Sequence, residues 1–340
     1  MPSMSMKELA ALAGVDISTV SRALRGDSRR VSAATMERVQ ALAERSGYIT
    51  NPAASTLRSG RSKMLGVVVP ILSDIVLAIL VTAIEEASRE LGYLSTVIAT
   101  HGDPRVRADA IDRLLSRKVD GFILCDTEIG IDVPDRLTAS GAPFVFAMRR
   151  SDCGASYTAD DRRGGTLVAE HFLDMGHTSV AVVPGPGNAA TALDRRDGFV
   201  DALLRTTDVE VLPIPSHGGF GVEDGHRSVN AILSRGDHPT AFFCTNDHTA
   251  IGAARALTDR GMKVGRDVAL VGYNDIPAAA YLEPPLSSVR TDLRSMGRQA
   301  TQGLISMIEG KAPVGIALEP TLVLRRSSTC WAIPPEKPNS

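Results

Sequence analysis

The sequence predicts an α/β protein in which a small helical headpiece precedes a core of two doubly wound lobes. Residues 5–25 contain two short helical patterns joined by a glycine. From residue 65 onward, short apolar runs alternate with amphipathic stretches that have helical spacing. This alternation is typical of parallel sheets covered by helices on both faces. Seven or more such units are too many for a single sheet, so we predict two lobes with a cleft at the carboxyl ends of their strands.

Composition and charge indicate a globular chain with a distinct basic segment. The 340 residues are enough for two or three domains, and 44% of them are hydrophobic and 22% charged. A net charge of −2 argues against a uniformly basic nucleic-acid binder. However, residues 1–63 carry ten Lys/Arg and five Asp/Glu, whereas the remainder carries 27 and 34. A basic amino-terminal segment followed by an acidic remainder is typical of a chain with a separate DNA-binding domain.

The cysteines and the amino terminus indicate a cytoplasmic protein. The four cysteines, at positions 125, 153, 244 and 330, form no C-x-x-C pair, and two of them lie in apolar runs. We therefore interpret those two as buried thiols. No signal peptide precedes the first helix, and no apolar run approaches the length of a membrane span. We expect no membrane association.

The first two helical patterns form a helix-turn-helix motif. Ser5 is a favourable N-cap, and Glu8 stands where it would complete a capping box. Gly14 ends the first helix, and Asp16 caps a second one that runs to about Leu24. The apolar stripe of the first helix is predicted at Met6, Leu9, Leu12 and Ala13.

The second helix has a polar face suited to reading DNA. Its packing side is predicted at Val20, Ala23 and Leu24. Of the residues facing away or lying on the flank, Arg22 suits guanine, Ser18 suits donors or acceptors, and Ile17 suits a thymine methyl group. Thr19 and Ser21 suit phosphate oxygens. The alternative is an ordinary helical hairpin with a polar outer face.

A third helix and a linker complete the amino-terminal region. Ser32 is the predicted N-cap of the third helix and Gly47 its end, so residues 1–47 form a three-helix headpiece. Residues 48–63 contain a helix of under three turns, framed by Pro52 and Gly60. A helix so short is marginal in water, so we expect it to become helical only when DNA holds it.

The core is predicted over residues 64–330. Its strands are expected at 65–70, 93–99, 121–125, 143–148, 179–185, 240–245 and 268–273. Its helices are expected at 75–91, 105–117, 162–175, 194–205, 222–235, 247–260 and 294–309. Residues 331–340 are proline-rich, and we predict that they form a flexible tail.

Nine segments in this order resemble the lactose-repressor (LacI/GalR) family of bacterial transcription regulators. They are MKELAALAGVDISTVSRAL, GYITNPAASTLRSGRS, LGVVVP, KVDGFIL, DDRRGGTLVAEHFLDMGH, RRDGFVDAL, CTNDHTAIGAARAL, VALVGYNDI and TLVLRRSS. The resemblance implies a hinge helix over 48–63 and a type I periplasmic-binding-protein-like core that binds a small effector and forms a homodimer. It implies one lobe of about 64–160 plus 290–320 and another of 161–289 plus 321–330.

The resemblance also implies a set of DNA contacts. Ile17, Ser18 and Arg22 would read bases in the major groove of a double-stranded, pseudo-palindromic operator. The positions that match backbone contacts of the family are Thr19, Ser21, Ser32, Thr35, Tyr48 and Asn51. Leu57 matches the hinge leucine that enters the minor groove as an apolar wedge, and Ala54 would let two hinge helices approach closely. The alternative for Leu57 is a core residue of an independent helix.

For the effector, the family pattern falls on Arg195, Phe220, Asn246, Asn274 and Asp275. Amide and carboxylate groups beside an arginine suit a polyhydroxylated ligand such as a sugar or sugar derivative. Two alternatives stay open: Asn246 could cap the next helix, and Arg195 could form a surface ion pair.

The sequence departs from the family pattern beside the predicted effector site. Met148 stands where sugar-binding members often carry aspartate, and residues 71–77 are distinctly apolar. Arg149 and Arg150 stand near the same rim. A less polar or an acidic effector is therefore an alternative to a sugar.

Other classes of protein fit the sequence less well. A stand-alone periplasmic-type solute-binding protein would begin with a signal peptide rather than a helix-turn-helix motif. His171 and His177 lack the HExxH spacing of a metal site, and the glycine-rich segments match no nucleotide-binding motif. We therefore predict no enzymatic activity, cofactor or metal. The predicted function is effector-controlled regulation of transcription, with repression as the expected mode.

Overall fold

A computed structural model of the chain divides into two compact units, Met1–Ser62 and Lys63–Ser340. The structure describes residues 4–24, 26, 28–48, 60–130, 135–206, 209–213 and 218–329. Three predicted hinge residues, Asn51, Ala54 and Leu57, lie outside the described residues, as does the predicted tail.

The amino-terminal unit contains the three predicted helices, Met6–Ala13 (α1), Ile17–Ala23 (α2) and Ala33–Arg45 (α3). The capping box is confirmed, because the Ser5 N–H donates to Glu8 Oε2 at 2.7 Å and the Glu8 N–H donates to Ser5 Oγ at 3.3 Å. Gly14 ends α1 with φ of 63°, a backbone conformation in which glycine avoids the steric cost of a Cβ. Local sequence signals thus define both ends of α1.

Two details of the predicted headpiece packing are wrong. Leu12 is 61% exposed, whereas Leu9, Ala10 and Ala13 form the buried stripe of α1. Ser21 was expected on the exposed flank of α2, but it is only 5% exposed. Because α2 packs against both α1 and α3, its buried face is wider than a stripe that meets one neighbouring helix.

The described part of the core contains twelve strands. In chain order they are Met64–Val69 (β1), Leu94–Ala99 (β2), Gly121–Leu124 (β3), Phe144–Ala147 (β4), Ser156–Ala159 (β5), Ser179–Val183 (β6), Glu210–Leu212 (β7), Ala241–Cys244 (β8), Ala269–Asn274 (β9), Ser287–Arg290 (β10), Ile316–Leu318 (β11) and Thr321–Val323 (β12). All seven predicted strands are confirmed. The five strands that were not predicted have three or four residues, and none of them is a run of apolar residues that is buried throughout.

These strands form two six-stranded sheets. The first has the order β11-β5-β4-β3-β1-β2, and the second has the order β12-β10-β9-β8-β6-β7. All neighbouring strands are parallel except β12, which pairs antiparallel with β10. The predicted parallel sheets are confirmed, and β12 adds an antiparallel strand at one edge of the second sheet. We call the domain around the first sheet the first lobe and the domain around the second sheet the second lobe.

Helices cover both sheets. The core α-helices are Ile75–Glu90 (α4), Pro104–Ser116 (α5), Asp135–Ser140 (α6), Asp161–Asp174 (α7), Ala190–Leu203 (α8), Val222–Leu233 (α9), Asp247–Asp259 (α10), Leu293–Ile308 (α11) and Arg326–Thr329 (α12), with a 3₁₀-helix at Pro277–Tyr281. The chain crosses between the lobes more than once, because α11 and β11 return to the first lobe before β12 and α12 complete the second. Among the described residues, none of the helices combines the length and apolar character needed to cross a bilayer.

Candidate functional site

A cavity of about 430 Å³ lies between the two lobes, at the carboxyl ends of their strands. Its lining residues come from strand ends, loops and helix starts that follow β1, β4, β6, β7, β8 and β9. They are Pro70, Ile71, Ser73, Asp74, Val76, Leu77, Met148, Arg149, Thr191, Arg195, Phe220, Gly221, Val222, Asn246, His248 and Asn274. Ligands of doubly wound folds bind at this edge, so the interlobe cavity is the candidate site.

The wall from the first lobe is mainly apolar. Ile71, Val76 and Leu77 line it, as the apolar segment after β1 suggested. Asp74 is the N-cap of α4, and its Oδ1 accepts a hydrogen bond from the Val76 N–H at 2.9 Å. Met148 also lines the cavity, with φ of 70° at the end of β4. This wall therefore offers few free hydrogen-bonding groups.

Arg195 is held rigidly on the wall from the second lobe. Its Nε donates to Asp161 Oδ1 at 2.8 Å, and its Nη1 donates to the Thr245 carbonyl at 2.9 Å. The guanidinium also lies 3.9 Å from the centre of the Tyr273 ring. The Arg195 and Asp161 side chains are 7% and 6% exposed, so the alternative of a surface ion pair is wrong. Burial alone would lower the pKa of Arg195, but the negative charge of Asp161 raises it above its ordinary value.

Asn246 has a capping role as well as a place on the cavity wall. Its Oδ1 accepts from the Thr249 N–H at 2.8 Å at the start of α10, as the capping alternative predicted. Its Nδ2 donates to the Phe220 carbonyl at 3.0 Å. Asn246 thereby holds the segment that carries Phe220 into the interlobe cavity, and its own amide has one proton left for a ligand.

The neighbouring residues Asn274 and Asp275 have side chains in different surroundings. Asn274 ends β9 with φ of 94° and lines the cavity, and its buried Oδ1 has no hydrogen-bond partner among the described residues. Asp275 is not among the lining residues, and its carboxylate accepts from Arg290 Nε at 2.8 Å and Arg325 Nη1 at 2.7 Å. A contact between Asp275 and the effector stays a prediction.

Thr191 and His248 line the cavity but were not predicted. Each lies near the start of the helix that follows a predicted strand, so its position after a strand end was the available signal. Among the described residues, no cluster of three His, Cys, Asp or Glu side chains is arranged to hold a metal ion.

The loop that carries Asn274 is anchored by Asp247, a residue outside the predicted effector set. Asp247 Oδ2 accepts from the Ile276 N–H at 2.7 Å, and Oδ1 accepts from Ser288 Oγ at 2.6 Å. Burial raises the pKa of Asp247 to about 7, although both hydrogen bonds act in the opposite direction. Asp247 therefore binds a proton more tightly in the folded protein than in the unfolded chain.

This raised pKa predicts a pH-dependent stability term. At pH values between the ordinary pKa of aspartate and about 7, Asp247 is protonated more in the folded state than in the unfolded chain. The free energy of unfolding therefore falls as the pH rises through this range. Relative to Asp247→Asn, we expect the wild type to lose about 3 kcal/mol between about pH 5 and about pH 8. Urea unfolding of both proteins across this range measures the difference. A difference that is independent of pH would contradict the prediction.

Two contacts join the lobes beside the interlobe cavity. Arg150, which follows β4, forms two hydrogen bonds of 2.8 and 3.2 Å to the Asp194 carboxylate on α8. The Ile129 N–H donates to the Asn188 carbonyl at 2.9 Å. Any rotation of one lobe against the other must change these contacts.

Comparison with known proteins identifies both parts of the chain. Residues 5–51 match the profile of bacterial regulatory proteins of the lacI family, and residues 169–328 match that of the periplasmic binding protein-like domain. The HTH-type transcriptional regulator DegA from Bacillus subtilis is 31% identical over 332 residues, which are 95% of this chain and 97% of DegA. The chain belongs to the lacI family.

Other relatives are similar to this lacI-family protein over nearly its full length. The HTH-type transcriptional repressor PurR from Haemophilus influenzae is 29% identical over 333 residues, covering 95% of this chain and 98% of PurR. The lac repressor dimer bound to operator and the anti-inducer ONPF superimposes with a TM-score of 0.85 at 28% identity, covering 97% of this chain and all of that one. The CelR–cellobiose complex gives a TM-score of 0.72 at 27% identity, covering 96% and 100%.

These findings confirm the predicted fold class and the predicted function of this lacI-family protein as a DNA-binding transcriptional regulator. They lend no support to the alternative of a stand-alone solute-binding protein.

Helix α2 of this lacI-family protein exposes part of the predicted DNA-reading set. Ile17 is 46% exposed and Ser18 is also exposed, whereas Thr19 and Arg22 are partly buried. Ser32 caps α3 by accepting from the Thr35 N–H at 3.3 Å. The partly buried Tyr48 packs against the headpiece core.

Proposed function

We propose that this chain represses transcription as a homodimer on a pseudo-palindromic operator, under the control of a small molecule bound in the interlobe cavity. The observation that carries the proposal is that one chain combines α2, the proposed recognition helix of a helix-turn-helix motif, with a cavity between two lobes. The homologous lac repressor is known as a dimer bound to operator, and CelR as a complex with cellobiose. A two-fold dimer matches a palindromic site because both share the same symmetry.

For the DNA contacts, we propose that Ile17, Ser18 and Arg22 contact base edges and that Thr19, Ser32, Thr35 and Tyr48 contact the backbone. Ser21 is omitted from the proposed surface because it is buried. The roles of Asn51, Ala54 and Leu57 stay predictions from the family resemblance. In that prediction, Leu57 unstacks one base step, and the resulting bend allows further contacts.

For the effector, a sugar or sugar derivative is the starting hypothesis. Asn246, Asn274 and Thr191 place amide and hydroxyl groups on the second lobe's wall, where they suit a ligand with several hydroxyl groups. Phe220 adds an aromatic surface. We assign no catalytic activity to the protein, because the relatives named above are regulators of transcription.

Effector control follows from the two-lobed construction. A ligand in the interlobe cavity contacts both lobes, so it stabilises the lobe arrangement to which it binds better. The Arg150–Asp194 pair and the Ile129–Asn188 hydrogen bond would change with that arrangement. The coupling between effector and operator is expected to be about 1–3 kcal/mol and equal in both directions.

Arg22→Ala tests the recognition helix. We expect it to cost about 1–3 kcal/mol of operator binding and to relax the preference at one base pair in each half-site, because a bidentate contact to guanine is lost. Gel-shift titrations against a set of single-base operator variants measure both effects. Equal weakening on every sequence, including unrelated DNA, would make Arg22 a phosphate contact instead.

The proposed function as a whole is tested in two steps. An operator is first enriched from random duplex DNA with the full-length chain, and an inverted repeat is expected. Thermal-shift screening of sugars, sugar acids and sugar phosphates then identifies ligands, since a ligand at about 100 times its Kd adds about 2.7 kcal/mol of stability. A responding ligand is expected to change operator affinity. Failure to enrich any inverted repeat would refute the proposal.

A further inference from the structure

Two arginines line the interlobe cavity, and they differ in how their charges are balanced. The guanidinium of Arg195 is paired with Asp161, bonded to a carbonyl and stacked on Tyr273. Its charge is therefore neutralised within the protein.

Arg149 has no such partner. Its Nη1 donates to the Thr127 carbonyl at 2.9 Å, which orients the guanidinium but leaves its charge in place. Among the described residues, no carboxylate lies within 4.0 Å of Arg149, whereas the next arginine in the chain, Arg150, is paired with Asp194. Arg149 is also partly buried on the cavity wall.

Asp126 and Glu128 act on Arg149 through their charges, but neither forms an ion pair with it within 4.0 Å. Asp126 instead pairs with Arg107, whose Nε donates to Asp126 Oδ2 at 2.7 Å, and the same oxygen accepts from Thr100 Oγ1 at 2.8 Å. Burial lowers the pKa of Arg149, against the opposing effect of the charges on Asp126 and Glu128. A guanidinium remains protonated even so, and the structure therefore holds a cation at the cavity wall.

The rest of this wall places no carboxylate in contact with Arg149. Asp74 is the one carboxylate among the lining residues; its Oδ1 caps α4, and among the described residues it forms no ion pair with Arg149 within 4.0 Å. The neighbouring lining side chains Ile71, Leu77 and Met148 are apolar. A neutral sugar would bring no anion to Arg149 and would place hydroxyl groups against this apolar wall.

We propose that the effector carries an oxyanion, a carboxylate or a phosphate, which Arg149 binds. The proposal rests on the proposed function, because it assigns the chemical class of the ligand in the same cavity. The planar guanidinium can offer a two-pronged pair of N–H donors to such a group. The remainder of the ligand lies toward the second lobe, where the unpartnered Oδ1 of Asn274 accepts a hydrogen bond from a ligand hydroxyl or amine.

Matched ligands and matched variants test this assignment with the full-length protein. The probes are glucose, galactose and ribose, each compared with its aldonic acid and its terminal phosphate ester. The variants are Arg149→Gln, Arg149→Lys and the control Arg113→Gln. Arg113 is an exposed arginine of the same lobe, paired with Asp109 on α5, so its loss removes the same charge away from the interlobe cavity.

We expect at least one acidic probe to bind the wild type at least about 10-fold more tightly than its neutral counterpart, measured by calorimetry and by operator release or recruitment. Arg149→Gln should weaken that binding about 10- to 100-fold, because a charge-assisted hydrogen-bonding group is lost. Arg149→Lys should retain part of it, and Arg113→Gln should stay within about twofold of the wild type. Preference for the aldonate or the phosphate identifies the oxyanion.

Three results would overturn the assignment: neutral probes that bind as well as the acids, no acidic probe that binds, or unchanged acid affinity in Arg149→Gln. Operator binding by the ligand-free variants is measured in parallel. If the operator is bound normally while no acid acts, the oxyanion inference fails and the regulatory function stands. If no operator is bound at all, the proposed function fails first.

Discussion

Asp161→Asn is expected to lower the free energy of unfolding by about 3–5 kcal/mol, the largest effect that we predict. Asp161 and Arg195 form a buried ion pair at 2.8 Å that joins the start of α7 to α8. Asparagine nearly preserves the volume of the side chain but removes its charge, so the guanidinium of Arg195 stays buried without a counter-ion. Because Arg195 also lines the interlobe cavity, effector affinity should fall in the same variant.

Asp201→Asn provides the matched control for this prediction. Asp201 pairs with Arg162 between the same two helices, but both side chains are about half exposed. Water and salt screen an exposed pair, so its loss should cost less than about 1 kcal/mol. Urea unfolding followed by circular dichroism compares the two variants with the wild type. Equal losses in both would show that burial does not strengthen the Asp161–Arg195 interaction.

Gly198→Ala should lower the free energy of unfolding by about 2–3 kcal/mol, although alanine is a better helix former than glycine. A Cβ on Gly198 would overlap the carbonyl oxygen of Arg162, and one on Gly165 would overlap the carbonyl oxygen of Arg195. Helices α7 and α8 thus approach each other through their glycines. The added methyl group must push them apart, which moves Asp161 away from Arg195.

Gly187→Ala is the control for this second prediction. A Cβ at Gly187 would meet open space, and its backbone is not in the left-handed region. Its stability should change by less than about 0.5 kcal/mol. The comparison uses melting temperature and unfolding free energy, together with the affinity of any effector. A Gly198→Ala protein as stable as the Gly187→Ala protein would show that the helices can separate without cost.

The sequence by itself determined the local elements of this protein. Ser5 and Glu8 close the capping box, Gly14 ends α1, and apolar runs form the seven predicted strands. Each of these features depends on residues a few positions apart, so propensity and periodicity are sufficient to predict it. The similarity of the segments to the lacI family also indicated which strand ends face the cavity.

Only the tertiary structure decided which polar side chains bond to other protein groups and which remain available to a ligand. Asp275 is drawn into a pair with Arg290 and Arg325, whereas its neighbour Asn274 keeps an unpartnered oxygen beside the interlobe cavity. Ser21 is buried on a helix face that periodicity left exposed. These outcomes depend on partners distant in the chain, and spacing along one helix or strand carries no information about them.

The same reason explains the two arginines of the interlobe cavity. In the sequence, Arg149 follows a predicted strand and Arg195 lies at the start of a predicted helix, and neither position shows whether the arginine has a counter-ion. The fold brings Asp161 to Arg195 and brings the Thr127 carbonyl to Arg149. One charge is therefore balanced inside the protein, and the other remains at the cavity wall, because long-range packing determines which groups meet.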